Sequence, residues 1–87
     1  MADYRIDFAA SAERELNRLS GSMVARILPR IEQLAEQPRP TGCRKLRGGV
    51  KERRIRVGDY RVVYTIDDAK RVIDITRVAH RKEVYKP

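Results

Sequence analysis

Glu52-Arg53-Arg54-Ile55-Arg56-Val57-Gly58-Asp59-Tyr60-Arg61-Val62-Val63-Tyr64-Thr65-Ile66 reads as two short strands joined at Gly58-Asp59, and the rest of the fold follows from how this stretch pairs with itself. Glycine in the first position of a two-residue loop suits a type II′ hairpin turn. That turn sets Val57 opposite Tyr60, Arg56 opposite Arg61, Ile55 opposite Val62 and Arg54 opposite Val63. Side chains alternate across a strand, so Ile55, Val57, Tyr60, Val62, Tyr64 and Ile66 share one face. Arg54, Arg56, Arg61, Val63 and Thr65 share the other. The first is a core face and the second is a concentration of guanidinium groups. Like charges directly opposed on a ladder cost on the order of 0.5 kcal/mol, and an anion between Arg56 and Arg61 removes that cost. The arginine face is therefore expected to bind phosphate.

Downstream, residues 67–70 form a turn and residues 72–78 a third strand. A four-residue turn at 67–70 places Tyr64 opposite Ile73 and Val62 opposite Ile75, with Thr76 opposite Arg61 and Asp74 diagonal to it. The chain then leaves the sheet through His80, Arg81, Lys82, Glu83, Val84 and Tyr85. Upstream, residues 39–51 carry prolines, glycines and basic side chains with little periodicity, which predicts a loop. It is either a solvated surface loop or, through Lys45 and Arg47, an extension of the basic track along a nucleic-acid backbone.

Before it, Val24, Ile27, Leu28, Ile31, Leu34 and Ala35 recur at helical spacing from a start at Ser22 to Pro38 and Pro40. Pro29 lies inside this helix and predicts a kink or a later start, because it cannot donate to the carbonyl of Ala25. Ser11 is a candidate cap for an earlier helix with an Ala12, Leu16 and Leu19 stripe. Residues 4–8 alternate Tyr4, Ile6 and Phe8 with Arg5 and Asp7, the period of a half-buried strand. The expected order is β-α-α-β-β-β: an α+β domain spanning residues 1–87, with a helical hairpin on one face of a small antiparallel twisted sheet. The arginine face is expected to stay open.

Twenty Lys and Arg against twelve Asp and Glu give a formal charge of +8, which points to a polyanionic partner, nucleic acid first. The lone Cys43 cannot form an internal disulfide, and no Cys/His spacing suggests a metal, so neither cofactor nor metal is expected. With no long apolar run and no signal pattern, a cytoplasmic location away from membranes is expected.

RNA carries its own nucleophile in the 2′-hydroxyl, so cleaving it requires alignment, stabilisation of a charged phosphorane and two proton movements. Arg56, Arg61 and Arg81 offer planar forks for phosphate oxygens. His80 titrates near neutral pH and is either a general acid or base or a hydrogen-bonded surface histidine. Tyr85 either stacks on a base and meets the 2′-hydroxyl or anchors the C-terminus.

Three segments, Lys45-Leu46-Arg47-Gly48, Gly58-Asp59-Tyr60-Arg61-Val62-Val63-Tyr64 and Val78-Ala79-His80-Arg81-Lys82-Glu83-Val84-Tyr85, resemble the RelE branch of the RelE/ParE toxin superfamily. Ser11-Ala12-Glu13-Arg14-Glu15-Leu16 and Gln37-Pro38-Arg39-Pro40 extend the likeness over nearly the whole chain. The resemblance implies the toxin of a type II toxin-antitoxin system, a metal-independent endoribonuclease that enters the ribosomal A site, cuts mRNA and is held in check by a cognate, RelB-like or other, antitoxin. It implies transition-state stabilisation by Arg61 and Arg81, with Arg81 also a leaving-group acid. Nucleotide orientation falls to Tyr85 and RNA contact to Arg47. Arg54 and Arg56 stand where the best-known members have lysines. Arginine stays protonated, so the base falls to His80, Tyr85, Glu52 or a group of the ribosome or substrate. A ParE-type gyrase poison on the same fold and a non-enzymatic basic RNA-binding module are the alternatives.

Overall fold

The computed structural model describes residues 4–45 and 51–80. Along the chain run β1 (Arg5–Phe8), α1 (Ala10–Asn17), α2 (Gly21–Gln33), β2 (Arg44–Lys45), β3 (Glu52–Val57), β4 (Tyr60–Asp67) and β5 (Val72–His80). The order of strands in the sheet is β1-β5-β4-β3-β2. This is the α+β architecture expected, with two differences. β1 lies parallel to β5, Arg5 beside Val72 and Phe8 beside Ile75, so the sheet is mixed and not antiparallel throughout. The segment expected to be loop contains β2, whose Arg44 and Lys45 pair with Arg54 and Arg53.

The β3–β4 hairpin has the predicted register, Val57 with Tyr60 through Arg54 with Val63. Gly58 takes φ +61°, the left-handed conformation this turn position demands and glycine adopts at little cost. The β4–β5 register differs from expectation. The turn occupies 68–71, one residue later, with the Asp67 carboxylate accepting from the Lys70 N–H at 3.0 Å. Tyr64 therefore pairs with Ile75, and a bulge at Thr76 shifts the remainder so that Val63 meets Arg77, Val62 meets Val78 and Arg61 meets Ala79. Thr76 and Asp74 are not beside Arg61 as expected; Asp74 pairs with Thr65.

α1 holds that bulge in place. β1 ends at Phe8, leaving the outer edge of β5 without a strand partner from Thr76 onward. Ser11 Oγ donates to the Thr76 carbonyl at 2.8 Å, and Glu15 accepts from the Val78 N–H at 2.8 Å. The same carboxylate pairs with Arg77 Nη2 at 2.9 Å. Ser11 is thus an edge partner and not the expected cap: Ala9 occupies the N-cap, with no side-chain bond. For α2 the cap is Ser20, whose hydroxyl accepts from the Met23 N–H. α2 runs through Pro29 as one element, and Ala25 and Pro29 are both exposed, so water reaches the carbonyl that proline leaves unbonded. Ala12, Ile27, Ile31 and Leu34 of the helical layer close over Ile55, Val57, Val62, Tyr64, Ile73, Ile75 and Val78.

Candidate functional site

On the face away from the helices, β3 and β4 bring Arg56 and Arg61 into direct opposition, as the turn dictates. Arg56 is exposed. Arg61 retains only 4% of its accessible surface, a correction to the expectation of an open arginine face. Ala79 stands across from it on β5, and Val63 lies two residues along the same strand; both are buried too. Nε and Nη1 of Arg61 have no hydrogen-bond partner among the described residues. A buried charge with two orphaned donors is costly, and the group that best offsets the cost is an anion presenting two oxygens to the guanidinium fork.

The arginine cluster extends to β2, where the ladder opposes Arg44 to Arg54. A concavity of about 480 Å³ is lined, among the described residues, by Gly42, Arg44, Arg54 and Arg56. Arg44 was missed in the sequence because a two-residue strand carries no periodic signal.

The other candidates are distributed unevenly. Since the bulge reverses the alternation of β5, His80 pairs with Tyr60, and its ring meets that of Tyr60 edge-on at 5.6 Å, on the side of the sheet opposite Arg61. Glu52 pairs with Thr65 and lies four residues from Arg56, about 13 Å along an extended strand. Lys45 pairs with Arg53. Arg47, Arg81 and Tyr85 lie outside the described residues.

A second polar cluster sits at the far end of the sheet, beside a concavity of about 600 Å³ lined in part by Arg39, Lys51, Arg53, Asp67 and Asp68. Asp68 and Arg39, its central charges, are already partnered. Asp68 accepts from Arg39 at 2.9 Å and from the Tyr4 hydroxyl at 2.7 Å, which holds its carboxyl below the ordinary range. The buried Tyr64 hydroxyl donates to the Pro38 carbonyl at 2.8 Å and meets Cys43 Sγ at 3.2 Å; burial, then the Cys43 contact, pushes this phenol well above its usual range. These bonds tie the α2–β2 connection to the sheet, so this cluster is structural.

Residues 6–85 match the family described as the ParE toxin of the type II toxin-antitoxin system parDE. Toxin RelG of Mycobacterium tuberculosis is 32% identical over 95% of this chain and 97% of its own length. Toxin RelE of the same organism is 33% identical, over 95% and 87%. Among solved structures, the RelBE2 toxin-antitoxin complex of M. tuberculosis superposes with a TM-score of 0.79 at 30% identity, covering 91% of this chain and 99% of the matched one. Free E. coli RelE, as a double arginine-to-alanine mutant, gives a TM-score of 0.78 at 30% identity, covering 98% and 92%.

Proposed function

The chain belongs to the RelE/ParE superfamily of type II toxins, and from that premise we propose that it is a ribosome-dependent endoribonuclease that cleaves mRNA in the A site. The observation that carries this reading is the Arg61 guanidinium, buried, opposed to Arg56 and holding two donors without partners among the described residues. The 2′-hydroxyl of the substrate attacks the adjacent phosphorus, and Arg61 donates to the non-bridging oxygens as the second negative charge develops on the phosphorane. Because the donors are oriented in advance and shielded from water, their stabilisation of that charge is strong. Arg56 supplies a second positive charge from the neighbouring strand. Arg81 adds a guanidinium that donates a hydrogen bond to the departing 5′-oxygen, whose proton comes from solvent or a group of the ribosome, and Tyr85 orients the nucleotide. Lys45, Arg47 and Arg54 hold flanking RNA. His80, on the opposite side of the sheet, and Glu52, remote from Arg56, receive no proton-transfer role, so the base is Tyr85 or a group of the ribosome or the RNA itself. No metal takes part in this scheme, and the site of action is cytoplasmic.

The partner that silences the toxin is an antitoxin of RelB type, the kind present in the solved complexes of similar chains. Its acidic residues would shield the arginine face. Incubating the toxin with programmed ribosomes should give codon-positioned mRNA ends by primer extension. Arg61→Ala should lower the cleavage rate at least 100-fold, and unchanged ends with that variant would overturn the assignment. The family description favours a second reading, a gyrase poison of ParE type. Inhibited supercoiling with intact mRNA would establish it instead.

A further inference from the structure

A carboxylate on α1 is committed to the strand that pairs with Arg61. Glu15 keeps 19% of its side-chain surface and meets β5 through three donors: the Val78 N–H at 2.8 Å, Arg77 Nε at 3.0 Å and Arg77 Nη2 at 2.9 Å. Four residues earlier, Ser11 Oγ donates to the Thr76 carbonyl at 2.8 Å. Both helix side chains thus grip the backbone of the bulge. The residue after Val78 is Ala79, the partner of Arg61. A register continued without the shift from Tyr64 and Ile75 would set Val62 against Arg77 and Arg61 against Val78. The bulge instead turns Val78 into the core and brings Ala79 to Arg61. A bulge re-aims side chains at the expense of ladder bonds, so the backbone groups it releases need other partners. Glu15 and Ser11 are those partners. For the Val78 N–H a carboxylate is the stronger choice, because a charge-assisted bond is roughly twice as strong as a neutral one. Arg61, buried and with Nε and Nη1 unpartnered among the described residues, therefore lies beside a strand whose course α1 fixes.

We propose that Glu15 is a positioning residue for Arg61: through the Val78 N–H it locks the β5 bulge, and the locked bulge sets the pose in which the guanidinium receives a phosphate. The inference rests on the reading of Arg61 as the phosphate ligand. Glu15 touches neither RNA nor the reacting atoms in this scheme. It acts through the placement of Ala79, and a misplacement of about 1 Å at a reacting group is worth about 100-fold in rate.

The test uses the full-length toxin at a temperature where unfolding curves show each variant folded. Single-turnover cleavage on programmed ribosomes separates the maximal rate from the toxin concentration at half-saturation. The arginine Nε–H signals in heteronuclear NMR, titrated with inorganic phosphate, report the pose of Arg61, whose own signal is identified by its loss in Arg61→Lys. Glu15→Ala should lower the maximal rate about 10- to 100-fold with half-saturation unchanged, displace the Arg61 signal and weaken its response to phosphate. Glu15→Gln should restore both readouts, since its carbonyl still accepts from Val78. Glu32→Ala, an exposed α2 variant with the same change in net charge as Glu15→Ala, should alter neither. A wild-type rate with an unmoved Arg61 signal in Glu15→Ala, equal losses in the alanine and glutamine variants, or a loss confined to half-saturation would each overturn the proposal. If Glu15→Ala does not fold, Ser11→Ala, which leaves the Thr76 carbonyl without its donor, takes its place. Slower cleavage with a displaced Arg61 signal then supports the clamp, and wild-type behaviour overturns it. If the wild type cuts no mRNA, yet its Arg61 signal answers phosphate and depends on Glu15, the cleavage reading fails and the positioning stands. A wild-type Arg61 signal that ignores phosphate defeats both.

Discussion

Arg61 is kept at a cost. A buried side chain with orphaned donors destabilises its protein by about 1–3 kcal/mol relative to an apolar side chain of similar length, and the facing Arg56 adds repulsion. Arg61→Met should therefore raise the free energy of unfolding by about 1–3 kcal/mol in urea titrations while eliminating mRNA cleavage. A variant that loses both stability and activity would show that Arg61 is structural. The same logic applies to simple anions. Sulfate or phosphate that binds only the folded state should raise the thermal midpoint of the wild type in proportion to the logarithm of its concentration. Arg61→Met should lose most of that response, because the site that holds the ion is gone.

At the level of elements, the decisive feature is the bulge in β5 and its attachment to α1. Glu15 accepts the Val78 N–H and pairs with Arg77 while only partly exposed, so Glu15→Ala should cost about 2 kcal/mol, the loss of a charge-assisted bond to a backbone group. Glu15→Gln should cost less, since its carbonyl still accepts from Val78. Unfolding curves of the two variants measure the difference. In α2, Pro29→Ala restores a donor to the exposed Ala25 carbonyl. Interior proline costs about 3 kcal/mol, and the entropy it removes from the unfolded chain returns about 0.4–1 kcal/mol. The variant should be more stable by about 2 kcal/mol, again by denaturant unfolding. These elements also show where sequence information ended. The β3–β4 pairing was legible because Gly58-Asp59 fixes it locally, and with it the opposition of Arg56 to Arg61. The β4–β5 pairing was not, because the bulge depends on Ser11 and Glu15, more than sixty residues away in the chain. Missing it put Thr76 beside Arg61. The parallel placement of β1 and the two-residue β2 escaped for a related reason: neither carries a local turn that names its partner.

For the whole molecule, stability against pH follows from the two clusters that tie distant segments together. Asp68 joins the residue before β1, Tyr4, to the segment after α2, through Arg39, and its carboxyl is held below the ordinary range by Arg39 first and Tyr4 second. Its contribution is thus complete above the unfolded carboxyl pKa, near 4, and is lost as pH falls through the lower folded value. Tyr64 acts at the other limit. Burial keeps its phenol protonated in the folded chain while the unfolded phenol ionises near pH 10. Above that pH the unfolded state binds fewer protons than the folded one, so stability declines with rising pH by up to about 1.4 kcal/mol per unit for this one group. Tyr4, raised mainly by its bond to Asp68, acts in the same direction. Tyr64→Phe should remove the Tyr64 share of the alkaline decline and, by leaving the Pro38 carbonyl without its donor, lower stability at pH 7 by about 1 kcal/mol. Urea unfolding at half-unit steps from pH 7 to 11 checks both halves. If the wild type and Tyr64→Phe fall along parallel lines above pH 10, the Tyr64 phenol is not what links the α2–β2 connection to the alkaline limit of the fold.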